Sequence, residues 1–319
     1  MNKGILVTGA AGFIGSHLCE SLLTQGHQVS GIDNFDPFYD RSIKETNLAG
    51  FIGHPSFDFI EGDAGDRNVL EKMERKPSVV IHLAAKAGVQ PSLKDPSAYI
   101  RSNILMTNTV LEWMREQGIR KLLFASSSSV YGNMEEMPFR EDQLVDFPVS
   151  PYAFTKRSCE LMNYTYHQLY KLDVVNLRFF TVYGERQRPD LAIHKFVDKI
   201  LREQAIQLYG NGDTSRDYTY WKDTVGGIEG ALKYITGREN VFESINLGNN
   251  SPVKLIELVR EIASLLKVEP EIVYEDKKQG DVDITYADIG KAQRLLGYRP
   301  ATGLAEGLQN FITWFRAKT

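Results

Sequence analysis

The sequence predicts a doubly wound α/β fold with a parallel sheet and a smaller mixed α/β domain. Short β-branched runs alternate with helical stretches through the first half of the chain, as in a parallel sheet joined by crossover helices. Glycines follow the first of these runs directly, as they do where a strand turns into a helix. The length of 319 residues also exceeds the roughly 250 to 300 at which a single core stops growing.

Six short apolar runs of the first half are predicted strands. They are Ile5 to Thr8, Gln28 to Ile32, Phe57 to Ile60, Val79 to Leu83, Lys121 to Ser126 and Val174 to Phe180. Helical patterns separate them at about 13 to 25, 66 to 75, 96 to 117 and 152 to 171. The last two helices are long, and an exposed apolar face on such helices favours packing against a second copy. We therefore expect a homodimer.

The periodicity weakens after Phe180, which places a domain boundary there. Helical patterns at about 193 to 204, 222 to 236, 254 to 267 and 304 to 317 then mix with short strands. We expect one domain over residues 1–180 and a second, ligand-binding domain over residues 181–319. The two are expected to interleave at their boundary, because no linker rich in proline, glycine or serine separates them.

Composition excludes several classes of protein. Hydrophobic residues make up 42% and charged residues 24%, and no stretch approaches the roughly 20 apolar residues of a membrane span. A formal net charge of -4 disfavours a surface that binds nucleic acid. The histidines and cysteines lack the spacing of zinc sites, and we expect no metal. The N-terminus has no cleavage-type site, and Cys19 and Cys159 fit reduced thiols in helices, so we expect a cytoplasmic protein.

Three glycines after the first predicted strand indicate a dinucleotide site. Gly9, Gly12 and Gly15 open the first helix, where a tight turn and a helix N-terminus can receive a pyrophosphate. Asp33 ends the second strand, where a carboxylate binds the ribose hydroxyls of adenosine and repels a 2'-phosphate. This favours NAD over NADP. An ordinary strand-to-helix turn and a loop-starting aspartate are the alternatives.

Further cofactor contacts are expected at the same edge of the sheet. Asp63 lies in the loop after the third strand, and the Leu83 to Val89 segment follows the fourth. Carboxyl ends of parallel strands share one edge, so we expect adenine contacts from Asp63 and backbone contacts from Ala84 to Lys86, with ordinary turns as the alternative. The full expected cofactor set is Gly9, Gly12, Phe13, Ile14, Gly15, Asp33, Asp63, Ala64, Leu83, Ala84, Ala85, Lys86 and Lys156.

A tyrosine and a lysine four residues apart form the expected catalytic pair. Tyr152 and Lys156 share one face of a helix. An adjacent ammonium and a positive nicotinamide ring both favour the phenolate, so we expect a lowered pKa that lets Tyr152 accept a proton. Four serines, Ser126 to Ser129, end the fifth strand. A YxxxK pair alone is common by chance, and the serines alone fit a solvated turn.

Seven segments together resemble the extended short-chain dehydrogenase/reductase family, specifically its nucleotide-sugar epimerases, over essentially the full length. They are TGAAGFIGSHL, HLAA, SSSSVYG, YAFTK, LRFFTVYG, RDYTY and QGDVDITYADIGKA. The resemblance implies a Rossmann-type NAD-binding domain over residues 1–180 and a nucleotide-sugar-binding domain over residues 181–319.

The resemblance also implies a catalytic triad of Ser127, Tyr152 and Lys156. In it Tyr152 removes the proton of a sugar hydroxyl while NAD takes the hydride, Ser127 relays the proton, and Lys156 also holds the nicotinamide ribose. A 4-keto sugar then turns over in the site and receives the hydride on its other face, without net redox change.

The residues around the triad imply which sugar reacts. Relatives that dehydrate or decarboxylate usually have glutamate where this chain has Ser129, and hexose 4-epimerases commonly have asparagine at Thr181. The segment FFTVYGERQRPDLAIHKF is most similar to UDP-glucuronate 4-epimerases, in which the arginine corresponding to Arg188 meets the sugar carboxylate. A guanidinium offers two parallel donors to a carboxylate. The alternative is a surface loop pair of Arg188 with Asp190.

The resemblance implies further contacts to the UDP-sugar. Arg216 is expected on the phosphates, Asp281 on the uridine ribose, and Lys195 with Phe196 around uracil. The substrate-binding set is Ser127, Ser128, Ser129, Tyr152, Thr181, Arg188, Lys195, Phe196, Arg216 and Asp281. Many relatives place arginine near Lys278, which leaves phosphate binding there in doubt.

The predicted activity is therefore 4-epimerisation of UDP-glucuronate to UDP-galacturonate without decarboxylation. The alternatives are 4-epimerisation of UDP-glucose or UDP-N-acetylglucosamine, dehydration, and decarboxylation of UDP-glucuronate to a pentose. A different class, a non-catalytic dinucleotide sensor, is disfavoured because such proteins typically lose the tyrosine or the lysine.

Overall fold

The apolar runs of the first half form parallel strands with helices between them. The protein is described by a computed structural model that covers residues 4–276 and 279–318. Its first strands are β1 (Ile5–Thr8), β2 (Val29–Asp33), β3 (Phe57–Glu61), β4 (Val79–His82), β5 (Lys121–Ser127) and β6 (Asp173–Phe179). The helices between them are α1 (Phe13–Thr24), α2 (Arg41–Leu48), α3 (Arg67–Glu71), α4 (Val89–Lys94), α5 (Pro96–Tyr99), α6 (Met106–Gln117) and α7 (Pro151–Tyr170).

The second half mixes shorter strands with amphipathic helices. Its strands are β7 (Thr181–Tyr183), β8 (Ile206–Tyr209), β9 (Ser215–Tyr220), β10 (Phe242–Leu247), β11 (Pro252–Lys254) and β12 (Ile272–Glu275). Its helices are α8 (Ala192–Leu201), α9 (Trp221–Thr236), α10 (Leu255–Leu266), α11 (Gly290–Leu296) and α12 (Leu304–Arg316).

A seven-stranded parallel sheet is the centre of the molecule, and the predicted fold class is confirmed. Its order is β3-β2-β1-β4-β5-β6-β10, so the direction of winding reverses between β1 and β4. Thr8 pairs with Ile32 on one side and His82 on the other, which brings the ends of these strands to one edge. A crevice beyond the carboxyl ends at such a reversal is where doubly wound sheets bind ligands.

Side chains of the strands alternate between two buried clusters, one on each face of the sheet. In β1, Ile5 and Val7 belong to one cluster and Leu6 to the other. A third cluster lies among α8, α10, α12 and the two small sheets, β11-β9-β7 and β12-β8. The chain thus builds a large sheet layer and a smaller mixed layer, each with its own core.

The strand β10 completes the large sheet from beyond residue 180. It pairs in parallel with β6, from Phe242 opposite Val174 to Leu247 opposite Phe179. A strand from beyond residue 180 therefore pairs within the sheet that the first half of the chain forms. The domain boundary at residue 180 stays a prediction.

The helices differ from the predicted ones in five places, and two of these are α4 and α11, which lie where no helix is predicted. Helix α2 lies in a stretch without a predicted helix, and α3 is shorter than the predicted 66–75 segment. The predicted 96–117 helix is interrupted by a π-helical segment, Ile100–Leu105. Periodicity detects an apolar stripe, but α2 buries Lys44 and Asn47 beside Leu48. None of the helices within residues 4–276 and 279–318 is long and apolar enough to cross a membrane.

Candidate active site

A cavity of about 890 Å³ runs along the carboxyl edge of the large sheet and reaches the smaller layer. Its size is that of a small-molecule site. Most of the predicted site residues lie on its wall: Gly9, Gly12, Phe13, Ile14, Gly15, Asp33, Asp63, Ala64, Leu83, Ala84, Ala85, Lys86, Ser127, Ser128, Ser129, Tyr152, Lys156, Thr181 and Arg188.

The turn from β1 into α1 is closed so tightly that it admits no side chain. Gly9 has a φ of +74°, and a Cβ on Gly15 would lie 2.0 Å from the Gly9 carbonyl oxygen. Helix α1 begins after Gly12, which has no side chain to cap it. The first-turn N–H groups therefore have no acceptor within the helix and face the cavity edge, where an anionic group can accept from them.

Asp33 ends β2 as a buried carboxylate with protein donors on both oxygens. Its Oδ2 accepts from the Ala11 N–H at 3.1 Å, and its Oδ1 accepts from the Phe35 N–H at 2.9 Å. The buried Lys44 ammonium also donates to Oδ1 at 3.2 Å. These bonds fix the carboxylate at the cavity wall. Lys44 also lines the cavity and was missed by the sequence analysis, because helix α2 was missed.

The loops after β3 and β4 are held by hydrogen bonds within the loop and to neighbouring elements. Asp63 accepts from the Gly65 N–H at 2.7 Å, and the Ala84 N–H donates to the Thr8 hydroxyl at 3.2 Å. The Lys86 N–H donates to Asn103 at 2.8 Å. Two of the backbone donors expected for the cofactor thus have protein acceptors, and the contacts of this loop with a cofactor stay a prediction.

The serine strand end and the Tyr152 to Lys156 turn of α7 meet at the same wall. Ser127 ends β5, and its hydroxyl accepts from the Ser129 N–H at 3.1 Å and hydrogen-bonds the Tyr152 phenol. The buried Lys156 ammonium donates to the Ala125 carbonyl at 2.7 Å and lies 5.0 Å from the centroid of the Phe124 ring. Strand β5 therefore anchors both partners of the pair.

The expected lowering of the tyrosine pKa is wrong for the protein alone. Burial raises the pKa of Tyr152 above its usual value, and the opposing effects of the Ser127 hydrogen bond and the Arg188 charge are smaller. Lys156 donates to a β5 carbonyl, and burial lowers its pKa to about 8. The charge that favours the phenolate within the chain is that of Arg188.

A buried polar network lies behind the serine strand end. The Glu160 carboxylate accepts from the Ser126 hydroxyl at 2.6 Å and from Arg178 Nε and Nη2 at 2.9 and 3.0 Å. Arg178 Nη1 donates to the Tyr131 hydroxyl at 2.9 Å, which donates to Asn246 at 2.8 Å. The network joins α7 to β5, β6 and β10. Sequence analysis missed it, although Glu160 stands four residues after Lys156.

The sugar side of the cavity is formed by β7 and the loop after it. Thr181 begins β7, and Arg188 lies in the loop that leads to α8. Arg188 Nε and Nη2 donate to the two oxygens of Asp190, each at 2.8 Å. Its guanidinium lies 5.1 Å from the centroid of the Phe38 ring. The ion pair of Arg188 with Asp190 is thus formed, and Arg188 also lines the cavity.

The four residues expected around UDP lie off the wall of this cavity. Arg216 Nη2 donates to Asp281 at 2.6 Å, so these two residues are adjacent. Phe196 is 7% exposed and packs into the core of the smaller layer, whereas Lys195 is exposed. Lys278 lies outside the described residues. The roles of all four stay predictions, and Phe196 offers no side-chain surface to a base in this arrangement.

No group of three or more histidine, cysteine, aspartate or glutamate side chains within the described parts of the chain could hold a metal ion. Cys19 and Cys159 are free and buried. The cavity wall offers a half-buried tyrosine, a buried lysine, hydroxyls, a guanidinium and several carboxylates.

Comparison with known proteins identifies relatives over the whole chain. The model of the NAD dependent epimerase/dehydratase family matches residues 5–248. A UDP-glucuronate 4-epimerase of Thermodesulfobacterium geofontis is 40% identical over 312 residues, covering 97% of this chain and 95% of that protein.

Solved structures similar to this chain are also epimerases of UDP-sugars. The UDP-glucuronic acid 4-epimerase from Bacillus cereus, in complex with UDP-glucuronic acid and NAD, superposes with a TM-score of 0.93 at 34% identity, covering 99% of this chain and all of that chain. A UDP-glucose 4-epimerase from Thermotoga maritima with UDP-glucose has a TM-score of 0.89 at 29% identity, with 99% of both chains covered.

Proposed function

The chain belongs to the NAD dependent epimerase/dehydratase family, and from that membership and its site we propose that it is a UDP-glucuronate 4-epimerase. It inverts C4 of the sugar to give UDP-galacturonate, through a 4-keto sugar that keeps its carboxyl group. The relatives and structural neighbours that act on or bind UDP-glucuronic acid support this choice.

The residues present fit NAD. The Gly9 to Gly15 turn is a cradle that a single Cβ would fill, and the free N–H groups of α1 suit a pyrophosphate. The fixed Asp33 carboxylate suits ribose hydroxyls, and Lys156 suits the nicotinamide ribose. When bound, NAD accepts the hydrogen of C4 with its two electrons and returns it to the opposite face of the ketone.

The chain's own residues handle the proton and the orientation of the sugar. Tyr152 Oη takes the proton of the C4 hydroxyl, with the Ser127 hydroxyl between them, and returns it after the ketone has turned over. The Arg188 charge favours the phenolate. Position 129 presents a hydroxyl where dehydrating and decarboxylating relatives have a carboxylate, so no acid is placed for proton transfer at C5.

One observation carries the assignment of the sugar: Tyr152 and Arg188 line the same cavity, and the guanidinium charge opposes the rise of the phenol pKa that burial causes. C5 carries the carboxyl group of glucuronate and is bonded to C4. When the C4 hydroxyl meets Tyr152, the carboxylate therefore comes within reach of Arg188. The Thr181 hydroxyl lines the same region and can donate as well.

Nuclear magnetic resonance of the purified protein with NAD and UDP-glucuronate tests the reaction directly. UDP-galacturonate should appear, and Tyr152→Phe should abolish turnover while the protein still binds UDP-glucuronate. Formation of UDP-galactose from UDP-glucose without any UDP-galacturonate from UDP-glucuronate would assign the protein to a neutral sugar.

Arg188→Ala tests the carboxylate contact. A charge-assisted hydrogen bond contributes roughly 1.5 to 3 kcal/mol, so kcat/KM for UDP-glucuronate should fall by about 10- to 150-fold. UDP-glucose, which has no carboxylate, should lose far less. Steady-state kinetics with both sugars give the comparison, and equal losses would contradict the role.

The UDP half of the substrate is assigned to the smaller layer. We place Arg216 on the phosphates, Asp281 on the uridine ribose, and the chain around Lys195 and Phe196 near the base. The adjacency of Arg216 and Asp281 supports this arrangement, because a diphosphate and its ribose are neighbours in UDP.

A homodimer and a cytoplasmic location complete the proposal. Apolar side chains along α7 are about half exposed, including Phe154 at 47%, Leu161 at 51% and Tyr164 at 49%. Such a stripe is expected to pack on a second copy as a helical bundle. Light scattering after size exclusion should give the mass of a dimer, and Leu161→Glu should give a monomer. A monomeric wild type would contradict the proposed dimer.

The two free, buried cysteines support a reducing compartment, as in the cytoplasm.

A further inference from the structure

Arg188 is held on two sides by the protein itself. Asp190 takes the Nε and Nη2 edge of the guanidinium with both carboxylate oxygens, each at 2.8 Å. The Phe38 ring lies 5.1 Å from the guanidinium carbon, at the distance of a cation–π contact. The side chain is only 17% exposed, so the guanidinium has little freedom to move.

Phe38 is in turn held by Asp36 of its own loop, which pairs with Lys86 of the loop after β4. The Phe38 backbone N–H donates to Asp36 Oδ1 at 3.0 Å. The same carboxylate accepts from Lys86 Nζ at 3.0 and 2.9 Å, and Lys86 Nζ lies 5.9 Å from the Phe38 ring. The ring is therefore near two cations, one from the loop after β4 and one from the loop after β7.

These contacts decide which part of Arg188 meets the cavity. Within the described residues, the hydrogen bonds of its side chain are the two to Asp190, which use Nε and Nη2. The Nη1 end is the part left for a ligand in the cavity that Arg188 lines. A carboxylate that binds there meets a donor of fixed direction, whereas a free arginine could follow the carboxylate as it moves.

Direction matters because the 4-keto sugar is a β-keto acid. Loss of CO2 breaks the C5–C6 bond, its electron pair enters the C4 carbonyl as an enolate, and a proton then adds to C5. This cleavage needs the C5–C6 bond to stand perpendicular to the plane of the carbonyl. A carboxylate held near that plane keeps the bond out of the cleaving geometry.

We propose that Asp190 and Phe38 are positioning residues that fix Arg188 so that its Nη1 end holds the sugar carboxylate near the plane of the C4 ketone and suppresses decarboxylation. This inference rests on the proposed function. Both residues act through Arg188.

The test is the ratio of CO2 released to UDP-galacturonate formed, measured with UDP-glucuronate labelled with carbon-13 at C6. Asp190→Asn and Phe38→Leu should each raise the ratio by about tenfold, the effect of roughly 1.4 kcal/mol on the competition. The ratio does not depend on how much of the enzyme is folded, so a merely structural loss would leave it unchanged. Phe38→Leu also leaves the charge of the site unchanged.

Asp198→Asn is the matched control, because Asp198 pairs with Arg202 at 2.8 Å on the outside of α8 and is exposed to a similar extent as Asp190. It should keep the wild-type ratio. Arg188→Ala combined with Asp190→Asn should give the ratio of Arg188→Ala alone, because Asp190 acts through the arginine.

Wild-type ratios in both Asp190→Asn and Phe38→Leu would overturn the inference, and so would a further rise in the double variant. A wild-type enzyme that does not convert UDP-glucuronate at all would instead overturn the proposed function, which separates the two failures.

Discussion

Lys156 is a charged side chain that is buried at the wall of the candidate active site. It lies buried beside Phe124, with the Ala125 carbonyl as its acceptor. Burial lowers its pKa from 10.5 to about 8. Under the proposed function, this buried ammonium holds a ribose beside the Tyr152 phenol.

This pKa predicts a pH dependence of stability in the cofactor-free protein. Between about 8 and 10.5 the unfolded chain binds a proton at Lys156 that the folded chain does not, so the folded state gains stability as pH rises through this window. Below about 8 the burial penalty is fully present. Lys156→Met should remove this gain, as urea unfolding at several pH values can measure. Parallel pH curves for the two proteins would contradict the expectation.

At the residue scale, sequence reasoning finds groups whose chemistry is local. Tyr152 and Lys156 share a helix face by spacing alone, and Arg188 is recognisable within its segment. Lys44 and Phe38 could not be assigned in this way, whereas the pairing of Asp190 with Arg188 could be. The roles of Lys44 and Phe38 follow from which side chains stand opposite them, across as many as 150 residues of chain in the case of Phe38 and Arg188.

At the scale of elements, the site depends on how helix α7 is fastened to the sheet. Glu160, one turn after Lys156, is bound by Arg178 of β6 and by Ser126 of β5. Both charges are 2% exposed. The Glu160–Arg178 pair thus fixes the position of α7 relative to the end of β5, and with it the distance between Tyr152 and Ser127.

Glu160→Gln should therefore destabilise the protein strongly. It leaves Arg178 as a buried charge without its counterion, a change that costs roughly 3 to 5 kcal/mol. The solvent-exposed pair of Asp198 and Arg202 is the comparison, since Asp198→Asn should cost about 0 to 1 kcal/mol. Urea unfolding of both variants gives the two values, and similar losses would show that the buried network adds nothing to stability.

Element positions could be predicted where an apolar pattern exists. The first six strands of the large sheet and the long α7 follow from their patterns, apart from shifts of a residue or two at the ends, whereas β10 was not among the predicted strands. Helix α2 could not be found because its buried face is polar. The π-helical segment was also out of reach, since Asn103 within it bonds Lys86 and Thr155, partners known only from the fold.

On the scale of the whole molecule, the two layers are joined through the cofactor helix. His17 of α1 stacks on Trp221 at 3.6 Å between ring centroids and hydrogen-bonds the Glu185 carbonyl at 2.9 Å. Burial lowers the pKa of His17 to about 3, so this joint is uncharged at neutral pH. Glu185 lies in the loop that carries Arg188, so helix α1, which follows the proposed cofactor turn, braces the loop proposed to bind the sugar.

The two layers should therefore unfold together. Trp113 lies in the core of the large sheet layer, and Trp314 packs on the core of the smaller one. In variants that keep one of these tryptophans and replace the others with phenylalanine, urea transitions should coincide. Ile245→Ala in β10, a large-to-small change that costs roughly 2 to 5 kcal/mol, should shift both transitions equally. Separate midpoints would show that the layers are independent.

The late arrival of β10 also has a consequence while the protein is being made. When β6 leaves the ribosome, its outer edge has unpaired N–H and C=O groups, and the strand that covers them lies roughly sixty residues further along the chain. At about 5 to 20 residues per second, this edge waits roughly 3 to 12 s for its partner. During that interval the nascent chain presents a strand template to other nascent chains, and chaperone binding to this edge would protect it.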